Sequence, residues 1–107
     1  MPDEHTRRDL TAVCRAADTG YVLQVRREGV EVPLAEKDLT HWPDYPAFPF
    51  DAAHAAGREL IRLGYMIWPD TVLPVVPGVL AGWRHDPEQR AWVAQVGSFD
   101  QLRAAGI

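Results

Sequence analysis

Apolar positions along the chain recur at two different spacings, and the changes of spacing divide it into elements. Between His5 and Ala17 the apolar residues Leu10, Val13, Cys14 and Ala17 fall three or four apart, which predicts an amphipathic helix capped by Asp3 or Thr6. Asp18-Thr19-Gly20 ends it. Tyr21 to Arg26 then alternates, with Tyr21, Leu23 and Val25 on one face, as a strand does. Arg27-Glu28-Gly29 supplies a short turn, and Val30, Val32 and Leu34 alternate with Glu31, Pro33 and Ala35 to predict a second strand. Pro33 has no amide hydrogen to donate, so this strand belongs at a sheet edge.

From Glu36 to Phe50 no period is sustained. Pro43, Pro46 and Pro49 among several aromatics predict an extended surface loop, with Asp38-Leu39-Thr40 as one turn of helix. A helix follows from Asp51, a good N-cap, to Leu63, with Gly64 as its stop. Ala52, Ala53 and Ala56 allow it close to a sheet, and Leu60, Ile61 and Leu63 give it bulk. Tyr65 to Trp68 reads as a short buried strand halted by Pro69-Asp70, and Thr71 to Gly78 as an irregular edge or covering loop. Leu80–Arg84 and Arg90–Val96 flank the turn-forming His85 to Gln89 as a hairpin. A loop over Asp86 to Gln89 would set Trp83 directly opposite Trp92. Ser98 and Gln101 have the spacing of a capping box, which starts a final helix packed by Phe99, Leu102 and Ile107.

This order predicts an α+β fold: residues 1–107 as one domain, with a mostly antiparallel sheet of four or five short strands. One central helix crosses it, and further helices lie at the N- and C-terminal ends. The sheet face not crossed by the central helix is expected to lie partly under the terminal helices or to form a homodimer surface.

Charge changes the picture at one place. Glu28 to Asp51 holds six acids (Glu28, Glu31, Glu36, Asp38, Asp44 and Asp51) against the single base Lys37. That net −5 compares with +1 for residues 1–27 and zero for residues 52–107, so the window accounts for the overall −4. The same window carries His41, Trp42, Tyr45, Phe48 and Phe50. Charge steers a partner and aromatics anchor it, so Glu36, Asp38, His41, Trp42, Asp44 and Tyr45 are the expected contacts for another protein. The expected function is that of a small acidic interaction module: an inhibitor, an immunity-type protein or a regulatory factor. The ordinary alternative for such a charge run is a solvated face, with Trp42 pinning the loop to the body.

Other chemistries find less support. The pI of about 5.4 weighs against a phosphate backbone or an anionic membrane as partner. His54, Arg58 and Arg62 line up along one helix side as a possible anion contact, and they carry the least favoured reading, nucleic-acid binding. A pocket between the sheet and the proline-rich loop, lined by Trp42, His41 and Arg58, is the second reading, with His41 placed for acid–base work. No catalytic residues, metal site or cofactor are assigned. The histidines are scattered, there is no CxxC, GxxxxGK[ST] or GxGxxG motif, and the one serine, Ser98, is engaged as a cap. Cys14 alone excludes an internal disulfide framework, and its apolar spacing makes it a buried hydrophobe. No apolar run reaches the ~18 residues of a membrane span. The acidic residues Asp3 and Glu4 stand where a signal peptide would be basic, so a cytoplasmic location is expected.

Overall fold

The computed structural model describes residues 8–71 and 79–106. In chain order they form β1 (Leu10–Ala16), β2 (Tyr21–Arg27), β3 (Ala35–Leu39), α1 (Phe50–Leu63), β4 (Tyr65–Ile67), β5 (Val79–Leu80), β6 (Trp83–Asp86), β7 (Ala91–Ser98) and α2 (Phe99–Ala104). The strands make one curled antiparallel sheet in the order β3-β2-β1-β7-β6-β5. β4 pairs with the end of β7 beyond β6. The α+β class with a mostly antiparallel sheet is therefore as expected, with more strands than the pattern suggested.

One predicted element changes type. Leu10 to Ala16 is a strand paired on both edges, with β2 through Cys14↔Leu23 and with β7 through Cys14↔Trp92. Leu10, Ala12 and Cys14 point into the core, while Val13 is covered on the opposite face. Thr11 and Arg15 stay exposed on that opposite face, so the covered Val13 alone breaks the alternation, and with Leu10, Cys14 and Ala17 it falls at helical spacing. The caps proposed for that helix, Asp3 and Thr6, lie outside the described residues, as do Val72 to Gly78 and Ile107.

A second element shifts along the chain. The strand expected over Val30–Leu34 forms instead over Ala35–Leu39, with Val25↔Ala35 and Tyr21↔Leu39 as its end pairs. This register places Leu39 in the core, and Asp38-Leu39-Thr40 makes no helical turn. Pro33, unable to donate to a ladder, stays in the connection. β3, which contains no proline, is itself an edge strand of the sheet.

α1 covers one sheet face through Ala52, Ala53, Ala56 and Leu60, all buried. Small residues let the helix backbone approach the sheet, and Leu60 fills the space farther along. Pro49 occupies the N-cap position and Asp51 the first turn, where a carboxylate is favoured by the helix dipole. Gly64 caps the C-terminus with φ 99°, a left-handed conformation that costs glycine little. Ile61, expected to pack, is exposed.

The C-terminal hairpin forms, one step out of the expected register. Asp86 pairs with Ala91 and His85 with Trp92, so the four-residue turn is Pro87–Arg90. Trp83 is consequently diagonal to Trp92, and Phe48 packs on both rings at centroid distances of 5.6 and 5.1 Å. Ser98 and Gln101 close the capping box, with the Gln101 amide donating to Ser98 Oγ at 3.1 Å and Ser98 N donating to Gln101 Oε1 at 2.9 Å. Leu102 is buried as expected, whereas Phe99 is exposed.

Candidate interaction surface

The acidic window divides into three parts once folded: a seven-residue connection (28–34), the edge strand β3, and a loop (40–49) leading into α1. All six of its acids are exposed. Among the described residues, Glu31, Asp38 and Asp51 have no hydrogen-bond or ion-pair partner for their carboxylates. Four ion pairs lie outside the window, at Arg8–Asp70, Arg27–Asp9, Arg62–Glu59 and Arg103–Asp100. Glu36 accepts from Gln24 Nε2 at 2.7 Å and remains open to solvent.

Within this charge lies an exposed apolar ridge. Val30, Val32 and Leu34 are 43%, 70% and 42% exposed, in the connection that precedes β3. The alternation that marks them as core in the sequence is real, but no sheet face receives them. Arg26 steadies the ridge by donating from Nη2 to the Glu31 carbonyl at 2.6 Å, and Val30 N donates to Arg27 O at 3.0 Å. Pattern reading missed these three residues as surface candidates. The available signal was Pro33 inside the run, with Glu31 beside it.

The loop of residues 40–49 is fastened to the body, and the fastening uses several of the expected contact residues. Asp44 accepts from Gly20 N at 2.7 Å. Trp42 is half-buried, packing edge-on to Tyr21 at 6.5 Å and tilted against Phe48 at 6.3 Å. Tyr45 shares a 2.6 Å hydrogen bond with His85 Nε2, and the Arg90 guanidinium lies 5.4 Å from its ring centre. Tyr21 donates to the Ala47 carbonyl at 2.6 Å, and Trp92 Nε1 donates to that of Pro46 at 3.3 Å. Phe48 sits buried at the centre of these contacts. Trp42, Asp44 and Tyr45 thus have structural employment. Asp38 on β3 and His41 are the expected contacts whose side chains make no hydrogen bond with a described residue, while Glu36 is exposed but accepts from Gln24.

His41 is exposed and stands edge-on to Trp42 at 6.4 Å. Its ring makes no hydrogen bond with a described residue, so the acid–base pairing with Asp38 or Asp44 is not formed. Together with Trp42, Pro43, Pro49 and Asp51 it lines a shallow groove of about 360 Å³. Arg58, expected in the same pocket, lines a different one of about 240 Å³ with His54, Ile61 and Met66. His54, Arg58 and Arg62 do form one exposed row on α1, in which Arg62 pairs with Glu59 at 2.7 Å.

Among the described residues no group of three or more His, Cys, Asp or Glu side chains is placed to hold a metal ion, and no helix is long and apolar enough to cross a membrane. Cys14 is fully buried, and burial drives its thiol far above the ordinary range, so it is held as the neutral, unreactive form. Comparisons with family models, with curated proteins and with solved structures found no match to this chain.

Proposed function

We propose that this chain is a small interaction module that binds another protein through the surface running from Val30 to Asp38. The observation that carries the reading is the exposed ridge Val30-Val32-Leu34 set beside acids that the fold leaves unneutralised. Apolar area at the centre of a contact supplies affinity, and charge around it supplies orientation and encounter rate. The partner that fits offers an apolar patch rimmed by arginine or lysine. Glu31, Glu36 and Asp38 meet that rim, and Val32 is the anchor.

The test is capture from a lysate of the protein's own source, using the intact chain and a folded Val32→Ser/Asp38→Lys variant as baits. A protein recovered stoichiometrically by the intact chain and lost with the variant supports the module. Equal recovery with both baits places the contact elsewhere. Raising the salt concentration slows association with a basic partner, because steering charges are screened over about 8–10 Å at physiological ionic strength.

A second reading has one observation in its favour, the groove beside Trp42. An aromatic wall with His41 and Asp51 at its mouth suits a small organic ligand better than a protein side chain array. A metabolite screen read by thermal shift, in the intact chain and in His41→Ala, tests it. Ligand stabilisation that His41→Ala abolishes would favour the pocket.

A further inference from the structure

We infer that the sheet face opposite α1 holds a binding site for one phosphate-sized oxyanion, between Arg15 of β1 and Arg26 of β2. The site follows from strand register. Val13 pairs with Gln24, Arg15 with Val22 and Thr11 with Arg26. Since Ala12 and Cys14 face the core, Val13 and Arg15 face away from it, as do Gln24 and Arg26. The two arginines therefore stand on either side of the Val13–Gln24 pair and arch over it. Gln89, hanging from the turn between β6 and β7, closes the space, which measures about 160 Å³.

The floor of this cavity is built. Val13 is 4% exposed and Gln24 8%, so an amide is held at the bottom of a pocket whose rim is positive. Gln24 Oε1 accepts from Arg26 Nη1 at 3.1 Å, and Arg26 Nη2 donates to Glu31 O at 2.6 Å. These two bonds fix the plane of the Arg26 guanidinium and leave further N–H groups on it unspent. Arg15 has no hydrogen-bond or ion-pair partner for its guanidinium among the described residues. No carboxylate lines the cavity.

Two acids of the surrounding network, Glu36 and Asp86, are each engaged by a glutamine, while Asp38 stands on the same sheet face in the row of Arg15 and Val22, one strand beyond β2. Gln24 Nε2 donates to Glu36 Oε2 at 2.7 Å, and Gln89 donates to Asp86 from its backbone N at 3.3 Å and from Nε2 at 2.7 Å. The Gln89 hydrogen bonds hold the Asp86 carboxyl below its ordinary range. Both acids are thus tied outside the cavity, while its two charged linings are guanidiniums.

Planar forks of N–H donors match oxyanions, often two bonds at a time. The volume selects among them. Pockets for drug-sized ligands begin near ~300 Å³, so this one takes a single phosphoryl or similar group and excludes a nucleotide.

The test is titration of the intact chain with inorganic phosphate at constant ionic strength, chloride making up the balance, followed by amide chemical shifts. The inference expects saturable shifts centred on residues 13–15 and 24–26. Arg15→Gln, which disturbs no described contact, should weaken the fitted affinity about tenfold, as loss of a charge-assisted hydrogen bond does. Arg26→Lys, keeping the charge without the fork, should weaken it as well. Shifts equal to those produced by chloride, saturation centred on other residues, or unchanged affinity in Arg15→Gln would each overturn the site. None of these outcomes depends on the protein-binding surface.

Discussion

Gly97 and Tyr21 show how tightly single positions in this core are specified. A Cβ on Gly97 would stand 2.8 Å from Cζ2 of the buried Trp68, over whose ring the Arg8 guanidinium lies at 4.2 Å from the centroid. Arg8 is itself clamped by Asp70 at 2.9 and 2.8 Å, so the indole has little freedom to retreat. Gly97→Ala should cost about 1–3 kcal/mol in urea unfolding, the usual result of overpacking. An unchanged midpoint would mean that the ring yields. Tyr21 is buried and donates to the Ala47 carbonyl, and burial pushes its hydroxyl up to about 12. The unfolded chain ionises this group near pH 10. Its contribution to stability is thus complete below pH 10 and is lost as pH rises toward 12, by at most roughly 3 kcal/mol. The stability gap between the intact chain and Tyr21→Phe should narrow across that window. A gap constant from pH 9 to 12 would contradict the assignment.

At the scale of elements, what was legible in the sequence depended on how many neighbours an element acquires. α1 was readable because one stripe of alanines meets the sheet and the opposite side meets water. The Ser98–Gln101 box was readable because its chemistry is local, complete within four residues. β1 was not, since Val13, covered on the face that Thr11 and Arg15 leave exposed, breaks the alternation and imitates helical spacing. Val30-Val32-Leu34 carried a faithful strand pattern and lost the competition for β2 to Ala35–Leu39. Lys37, the sole base of the acidic window, lies on the edge strand opposite Leu23, where a lysine discourages edge-to-edge pairing with other sheets. The candidate site was half legible: its charge was visible by counting, but the roles of its aromatics required the fold. A direct contrast follows from this division. Phe48→Ala should cost about 3–5 kcal/mol, as for a buried aromatic that anchors the loop of residues 40–49. Val32→Ser should change stability by less than about 0.5 kcal/mol. Chemical denaturation of both variants checks the pair, and comparable losses would place Val32 in the core.

For the whole molecule, the fold separates jobs that the sequence runs together. One sheet face and α1 build the core, and the loop of residues 40–49 is sewn to that core by Asp44, Tyr45, Trp42 and Phe48. The opposite face carries Arg15, Arg26, Arg84, Glu36 and Asp38 rather than a continuous apolar surface. The connection carrying Val30, Val32 and Leu34 lies exposed before β3, tied to the sheet by Arg26 through the Glu31 carbonyl and by Leu34 N through Val25 O. On the proposed function, recognition falls to Val32 and its acidic neighbours, and stability to Trp42. The most direct measurement is the dissociation constant of the captured partner for three forms of the chain, intact, Val32→Ser and Trp42→Ala, each with its melting temperature. The account predicts that Val32→Ser weakens binding at least about tenfold with melting unchanged, since a central apolar anchor is worth more than about 1.4 kcal/mol. It predicts that Trp42→Ala lowers the melting temperature while the folded fraction binds as before. Binding lost with Trp42→Ala at unchanged stability, and retained with Val32→Ser, would contradict it.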